Sequence, residues 1–297
     1  MTALNPLRLP AARLDKSLDT GVAARLADLA VASLIDEAML TPKPGLVDMR
    51  GSGAHADLSW MLMVRSACAL RGGFAGMAGA GASIAEPLQL RRRIGALGRE
   101  AEAAMMAATG GVNTHRGAIW ALGLLVTAAA CLDGAAPDAE AIARQAGALA
   151  RIADPDAPAQ TGHKGERACR EHGVGGARGQ ARAGFPAVVE HALPMLRLSR
   201  ARGDGEPQAR VNALLAVMAG LDDTCLLARG GRRALEATQA GARRVLALGG
   251  IATPNGRRAL DALEARMRTL HVSPGGAADL LAACLLLDSI EREQERD

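Results

Sequence analysis

The chain has 297 residues, 49% of them hydrophobic, but no tyrosine, two phenylalanines and two tryptophans, so a large core must be filled mainly with alanine and leucine. That supply favours close-packed helices over sheets, which draw on β-branched and aromatic side chains. The net charge of +4 comes from arginines scattered along helical faces; this argues against a nucleic-acid groove, as the scarcity of stacking aromatics also does, and favours a small anionic ligand.

Apolar residues recur at helical spacing over 20–40, 56–80, 86–108, 115–132, 138–153, 180–201, 208–221, 231–248, 255–270 and 275–292, predicting an all-α protein of about ten helices. Pro42 and Pro44, Pro87, Pro137 with Asp138, Pro155 and Pro158, Pro254 with Asn255, and Pro274 with Gly275 mark the breaks. No composition shift divides the chain, so one domain over 1–297 is expected, with 1–18 a flexible N-terminal segment. The longest connection, 154–179, is rich in glycine, and a loop of that length in a compact domain is usually functional.

The longest apolar run, 118–132, falls short of the roughly 20 residues a membrane span needs, and the N-terminus lacks a signal-peptide core. Cys68, Cys131, Cys169, Cys225 and Cys284 are odd in number and widely spaced, which suggests neither a disulfide framework nor a zinc site. A cytoplasmic protein is expected, with no nucleic-acid or membrane partner and a homodimer among the expected assemblies.

Five polar breaks carry the chemistry. In TPKPGLVD (41–48) two prolines stiffen the backbone around Lys43 and Asp48, a mount for a phosphate-binding lysine and a metal-binding carboxylate or else a plain linker. GSGAHAD follows with His55 and Asp57 at the next helix start, where Asp57 could also simply complement the helix dipole. GGVNTHRG (110–117) sets His115 and Arg116 at the start of the most apolar helix, where free N–H groups attract phosphate, although ordinary capping accounts for part of the pattern. TGHKGERACREHGVGGARGQAR (161–182) gathers His163, Lys164, Arg167, His172 and Arg178 among glycines without the spacing of a P-loop or a dinucleotide fingerprint; a solvated basic loop is the alternative. LDDTCLLARGG (221–231) offers Asp222 and Asp223 to Mg²⁺ or to a helix N-terminus. HVSPGGAADLLAACLLLD (271–288) puts Asp279 one turn inside an apolar helix, costly unless a metal, a cation or hydrogen bonds receive it.

Taken in order, TPKPGLVD with GAHAD, GVNTHRGAIW, GVGGARGQA with GF, DDT with LARGG, and SPGGAADLLA resemble the triphosphoribosyl-dephospho-CoA synthase family over roughly 37–288. Cys225 stands where that family's pattern has asparagine, and Ala278 where it has serine. The resemblance implies transfer of the 5-triphosphoribosyl group of ATP to the 2′-hydroxyl of 3′-dephospho-CoA with loss of adenine. The product would then pass to a phosphoribosyl-dephospho-CoA transferase and an acyl carrier protein of malonate decarboxylase or citrate lyase, the malonate system being the better fit to a stand-alone chain. On that reading Lys43, Arg116, Lys164, His172 and Arg178 are expected on phosphates, and Asp48, Asp222 and Asp223 on Mg²⁺. Asp57, His55, His115 and Asp279 are expected in proton transfer or in stabilising the cationic ribosyl centre. A Mg²⁺-dependent N-glycosidic hydrolase of the ADP-ribosyl type and a non-enzymatic helical scaffold with basic loops are the alternative readings.

Overall fold

The computed structural model describes residues 16–132, 136–158 and 160–295, with side chains from residue 21 onward. Most of the segment expected to be flexible, 1–15, lies outside the described residues, whereas 16–18 already belong to the first helix. Thirteen α-helices and one π-helical stretch are present among the described residues, and the only β pairing there is a single bridge between Asp48 and Gly51. The all-α expectation holds, with more and shorter helices than the apolar periodicity suggested. No helix among the described residues is long and apolar enough to cross a membrane.

At the centre is α5 (Arg116–Cys131), on which all but three residues are buried, as expected for its unbroken apolar sequence. Around it pack α1 (Lys16–Met39), α3 (Arg71–Ser83), α4 (Pro87–Ala108), α6 (Ala139–Arg151) and α13 (Gly275–Gln294). Small residues let these helices approach closely. A Cβ on Gly81 of α3 would lie 2.4 Å from the Thr127 carbonyl oxygen of α5, and one on Gly123 would lie 2.5 Å from the Met77 sulfur. Close approach of backbones thus supplies contact that a core with only two buried phenylalanines, Phe74 and Phe185, does not get from aromatic rings.

The apolar stretch expected at 56–80 divides at Leu70 into α2 (Trp60–Ala69) and α3. Ser59 caps α2, its hydroxyl accepting from Leu62 N–H at 3.2 Å. Within 154–179, expected as a loop, lie α7 (Lys164–His172) and the start of α8 (Gly176–Arg182). The stretch expected at 180–201 begins in α8, passes through a π-helical stretch (Ala187–Ala192) and ends in α9 (Leu193–Ala201). Pro194 stands at the start of α9 and has no N–H to give the preceding turn, which suits a change of helical register there. The remaining elements are α10 (Glu206–Met218), α11 (Thr224–Ala247), which turns sharply at Gly231 (φ 65°), and α12 (Pro254–Thr269).

One carboxylate joins two of these helices. Asp223 accepts hydrogen bonds from Cys225 N–H (2.7 Å) and Leu226 N–H (3.3 Å) at the start of α11, and from Ala277 N–H (2.9 Å) in the first turn of α13. Asp223 is 2% exposed, so these donors have no water to replace it. Asp223→Ala should therefore lower unfolding stability by about 2–4 kcal/mol in urea titrations, the sum of two lost caps and their stranded donors. A change within about 0.5 kcal/mol, as for an ordinary surface substitution, would show that it does not hold the two helices together.

Candidate active site

Between α1 and α2 the chain folds back on itself around Asp48. Its carboxylate accepts from Lys43 N–H (3.0 Å), Arg50 N–H (2.8 Å) and the Arg50 guanidinium (2.9 and 2.7 Å). Arg50 in turn reaches Glu264 of α12 at 3.0 Å. Gly53 (φ 59°) completes the fold-back, since a Cβ there would lie 2.3 Å from the Leu46 carbonyl oxygen. The Thr41–Pro42 peptide is cis.

Lys43, expected on a phosphate, turns inward. It is 2% exposed, and its ammonium lies 2.5 Å from both the carboxylate and the carbonyl oxygen of Glu37, near the end of α1. His115 occupies the N-cap position of α5 with its ring buried and not capping the helix: its Nδ1 is 2.8 Å from Ser66 Oγ, which is 2.5 Å from Thr114 Oγ1, while its Nε2 has no partner among the described residues. Burial and the Lys43 charge push its pKa down to about 3, so the imidazole is neutral.

Asp279 enters the same region from α13. Its carboxylate packs on the first turn of α5, where a Cβ on Gly117 would lie 2.1 Å from Oδ2, and Ala118 N–H donates to it. Burial, then Glu37, then Asp223 raise its pKa well above the usual carboxylate range, because each disfavours a further negative charge. Cys225 stands beside Asp223 and Asp279, and burial with those two charges pushes its thiol far up, which removes it as a nucleophile.

The remaining residues sit around this cluster. His55 is partly exposed, with its ring nitrogens 3.3 and 3.2 Å from the Arg229 guanidinium. Burial and Arg229 lower its pKa to about 4, against the pull of Asp57, which is exposed. Arg116 pairs with Glu102 at 2.5 Å, and His163 lies 3.9 Å from that carboxylate. The 161–182 segment meets α11 at Thr224: a Cβ on Gly176 would lie 3.2 Å from the Thr224 methyl, and Arg232 donates to the His172 carbonyl at 3.3 Å. Lys164 and Arg178 are exposed.

Contacts therefore link all five polar breaks, through the N-terminal ends of α5, α11 and α13. Among the described residues no group of three or more His, Cys, Asp or Glu is placed to hold a metal ion. Asp48 and Asp223, expected on Mg²⁺, spend their oxygens on N–H donors, and of the three expected metal ligands only Asp222 is exposed and without a hydrogen bond among the described residues. A protein-held metal does not fit this donor set. Sequence reading missed Glu37, Ser66, Glu102 and Arg229. Glu37 had a signal: it follows Leu26, Ala30 and Leu34 on the buried stripe of α1, a core position occupied by an acid.

Comparison with known proteins agrees with this arrangement of motifs. Residues 23–297 match the family described as ATP:dephospho-CoA triphosphoribosyl transferase. The chain is 58% identical over 269 residues to a probable 2-(5''-triphosphoribosyl)-3'-dephosphocoenzyme-A synthase of Stutzerimonas stutzeri, covering 90% of this chain and 92% of the relative. It is 56% identical over 265 residues to the 2-(5''-triphosphoribosyl)-3'-dephosphocoenzyme-A synthase of Klebsiella pneumoniae, covering 89% and 94%. A probable synthase of Pseudomonas aeruginosa is 55% identical over 280 residues, covering 94% and 95%. No solved structure matches the chain. On the match across nearly its whole length, this chain belongs to the ATP:dephospho-CoA triphosphoribosyl transferase family.

Proposed function

We propose that the protein transfers the 5-triphosphoribosyl group of ATP to the 2′-hydroxyl of 3′-dephospho-CoA, in the cytoplasm, and that its product serves the acyl carrier protein of a malonate decarboxylase or citrate lyase through a second transferase. Family membership supports the reaction. The observation that carries the site is Asp279, a carboxylate packed on Gly117 in electrostatic reach of Glu37 and Asp223. Neither a hydrolase nor a scaffold finds support among the relatives described above.

The 2′-oxygen of dephospho-CoA attacks C1′ of the ATP ribose while the C1′–N9 bond breaks and adenine departs from the opposite face. Charge develops in two places, positive on the ribosyl carbon and negative on the adenine ring. Asp279, whose protonated form is favoured by burial and by Glu37 and Asp223, gives its proton to a ring nitrogen of the departing adenine. Once ionised it stands as a carboxylate near the cationic carbon, so one group serves both needs in sequence. The proton of the attacking hydroxyl passes to Asp57, which is exposed and makes no hydrogen bond among the described residues. Bond-making to an electron-poor carbon acidifies that hydroxyl, so a positioned carboxylate suffices to receive its proton. His55, neutral and set against Arg229, orders the neighbourhood of Asp57. Lys164, Arg178, His172 and Arg116 line the approach of the phosphates, and Lys43 acts from below by holding Glu37. Asp222 is the carboxylate that would meet a Mg²⁺ brought in as the counter-ion of the ATP triphosphate, where the ion would neutralise phosphate charge, and no step depends on a resident metal.

Asp279→Asn should lower kcat for adenine release by about 10²–10⁴-fold, the usual contribution of a positioned proton donor. The same substitution should raise thermal stability at neutral pH. A carboxyl whose folded pKa lies above its unfolded value loses stability as pH rises through that interval, and the amide removes the loss while still accepting from Ala118 N–H. Thermal melts of the two proteins at pH 5 and pH 8 test this: the gap should widen at the higher pH, and equal gaps would mean that Asp279 titrates normally.

Chelation separates the metal's two conceivable places. EDTA should stop adenine release by stripping Mg²⁺ from ATP, yet leave the Tm of the nucleotide-free protein unchanged, as expected where no metal is held by the fold. A Tm lowered by EDTA in differential scanning fluorimetry would establish a resident ion.

A further inference from the structure

Away from the carboxylate cluster, the side of α5 facing α4 holds an unbalanced group of cations. Arg91 of α4 is 7% exposed, yet among the described residues it makes one hydrogen bond, from Nε to the Ile152 carbonyl at 3.2 Å. The nearest carboxylate oxygen, on Asp154, is 3.9 Å from Nη1, too far for a hydrogen bond, and that same oxygen accepts from Arg99 at 2.9 Å. The other Asp154 oxygen accepts from Asp156 N–H at 3.1 Å. A Cβ on Gly95 would lie 2.1 Å from the Asp154 carboxylate, so this acid is lodged against α4, committed to Arg99. Neither terminal nitrogen of this largely buried guanidinium has a hydrogen-bond acceptor among the described residues, so the fork keeps its charge and its free N–H groups face the solvent side of the group.

Two further donors converge here. Arg178 at the start of α8 is exposed, has no hydrogen bond or ion pair among the described residues, and lies close enough to press on the Arg91 charge. On the other side, the Arg91 guanidinium carbon stands 5.2 Å over the centre of the Trp120 ring. The indole Nε1–H of Trp120 is itself buried without a partner. Arg91, Arg99 and Arg178 bring three positive charges against the single charge of Asp154, and the described residues supply no acceptor for the spare donors. Trp120 lies three residues along α5 from Gly117, on which Asp279 packs, so both groups belong to the same end of one helix.

We propose that Arg91, Trp120 and Arg178 form an anion subsite that receives a phosphoryl group of a nucleotide substrate, fixing the substrate's position about one helical turn from Asp279. The proposal rests on the reaction given above for the identity of the nucleotide, but not for the binding itself. A phosphate group would accept from the guanidinium fork and from the indole N–H, giving the buried Trp120 donor the acceptor it lacks and the fork a charged partner in place of solvent. The phosphoryl group belongs to the triphosphate of ATP or to the diphosphate of 3′-dephospho-CoA.

Composition supplies the probe. With no tyrosine and two tryptophans, a Trp60→Phe protein reports emission from Trp120 alone. Titration with inorganic triphosphate and with pyrophosphate at constant ionic strength should give a saturable change in that emission. Arg178→Gln, an exposed substitution, should weaken the apparent Kd about tenfold without changing helical circular dichroism, as should Arg91→Gln if it folds. ATP competing with the bound anion assigns the subsite to the triphosphate, and 3′-dephospho-CoA competing assigns it to the diphosphate. Saturable anion binding by a protein that releases no adenine would uphold the subsite and sink the reaction. Trp120 emission indifferent to all four compounds at millimolar concentration, or an Arg178→Gln Kd equal to the parent's, would overturn the proposal.

Discussion

A buried ammonium sets the electrostatics of this molecule. Lys43 is held between the carboxylate and the carbonyl of Glu37 with almost no exposure, and removing two ions from water costs several kcal/mol each before their attraction is counted. The pair balances itself, which leaves no positive charge over for the two other carboxylates nearby. Asp223 solves its part of the problem with backbone N–H groups from two helix N-termini, where peptide dipoles favour negative charge. Asp279 has one N–H, from Ala118, and faces both neighbouring acids. A proton is the cheapest way to keep it there.

That constraint ties the fold to the chemistry. Gly117 leaves room for the carboxyl on α5, Asp223 locks α11 against α13, and the close approach of small-residue helices holds the three N-termini together. A loose cluster would admit water, and water would let Asp279 ionise at its ordinary pKa. The rigidity of an alanine-rich core therefore matters for the reaction as well as for stability. It also explains why polar sequence concentrates at helix ends here: the middle of each helix is committed to packing, and the ends are where donors remain.

Much of this was legible in the sequence. Helical periodicity located nearly every element, and Pro137 with Asp138 and Pro254 with Asn255 marked real helix starts, at α6 and α12. The helices within 154–179 were not legible, because α7 has few apolar residues to carry a pattern and glycine dominates its surroundings. Division of 56–80 at Leu70 was hidden for the opposite reason, the apolar pattern running straight through it. At the site, the breaks were found but the direction of their side chains was not. Lys43 and Asp48 read as ligands because proline and glycine surround them, and spacing alone does not reveal that Glu37 and Arg50 meet them first. GGVNTHRG read as a phosphate cradle, whereas the role of its last residue, the open face of Gly117, depends on a helix more than 150 residues away. Buried pairing between distant elements is a tertiary property, and Arg91 with Trp120 escaped notice for the same reason.

The protonation state of Asp279 is the point on which the account turns, and it can be observed directly. Infrared difference spectra of wild type against Asp279→Asn in D₂O at neutral pH should show the carbonyl stretch of one protonated carboxyl group, lost in the variant and fading from the wild type above the ordinary carboxylate range. A difference spectrum containing only ionised carboxylate bands at neutral pH would contradict the account.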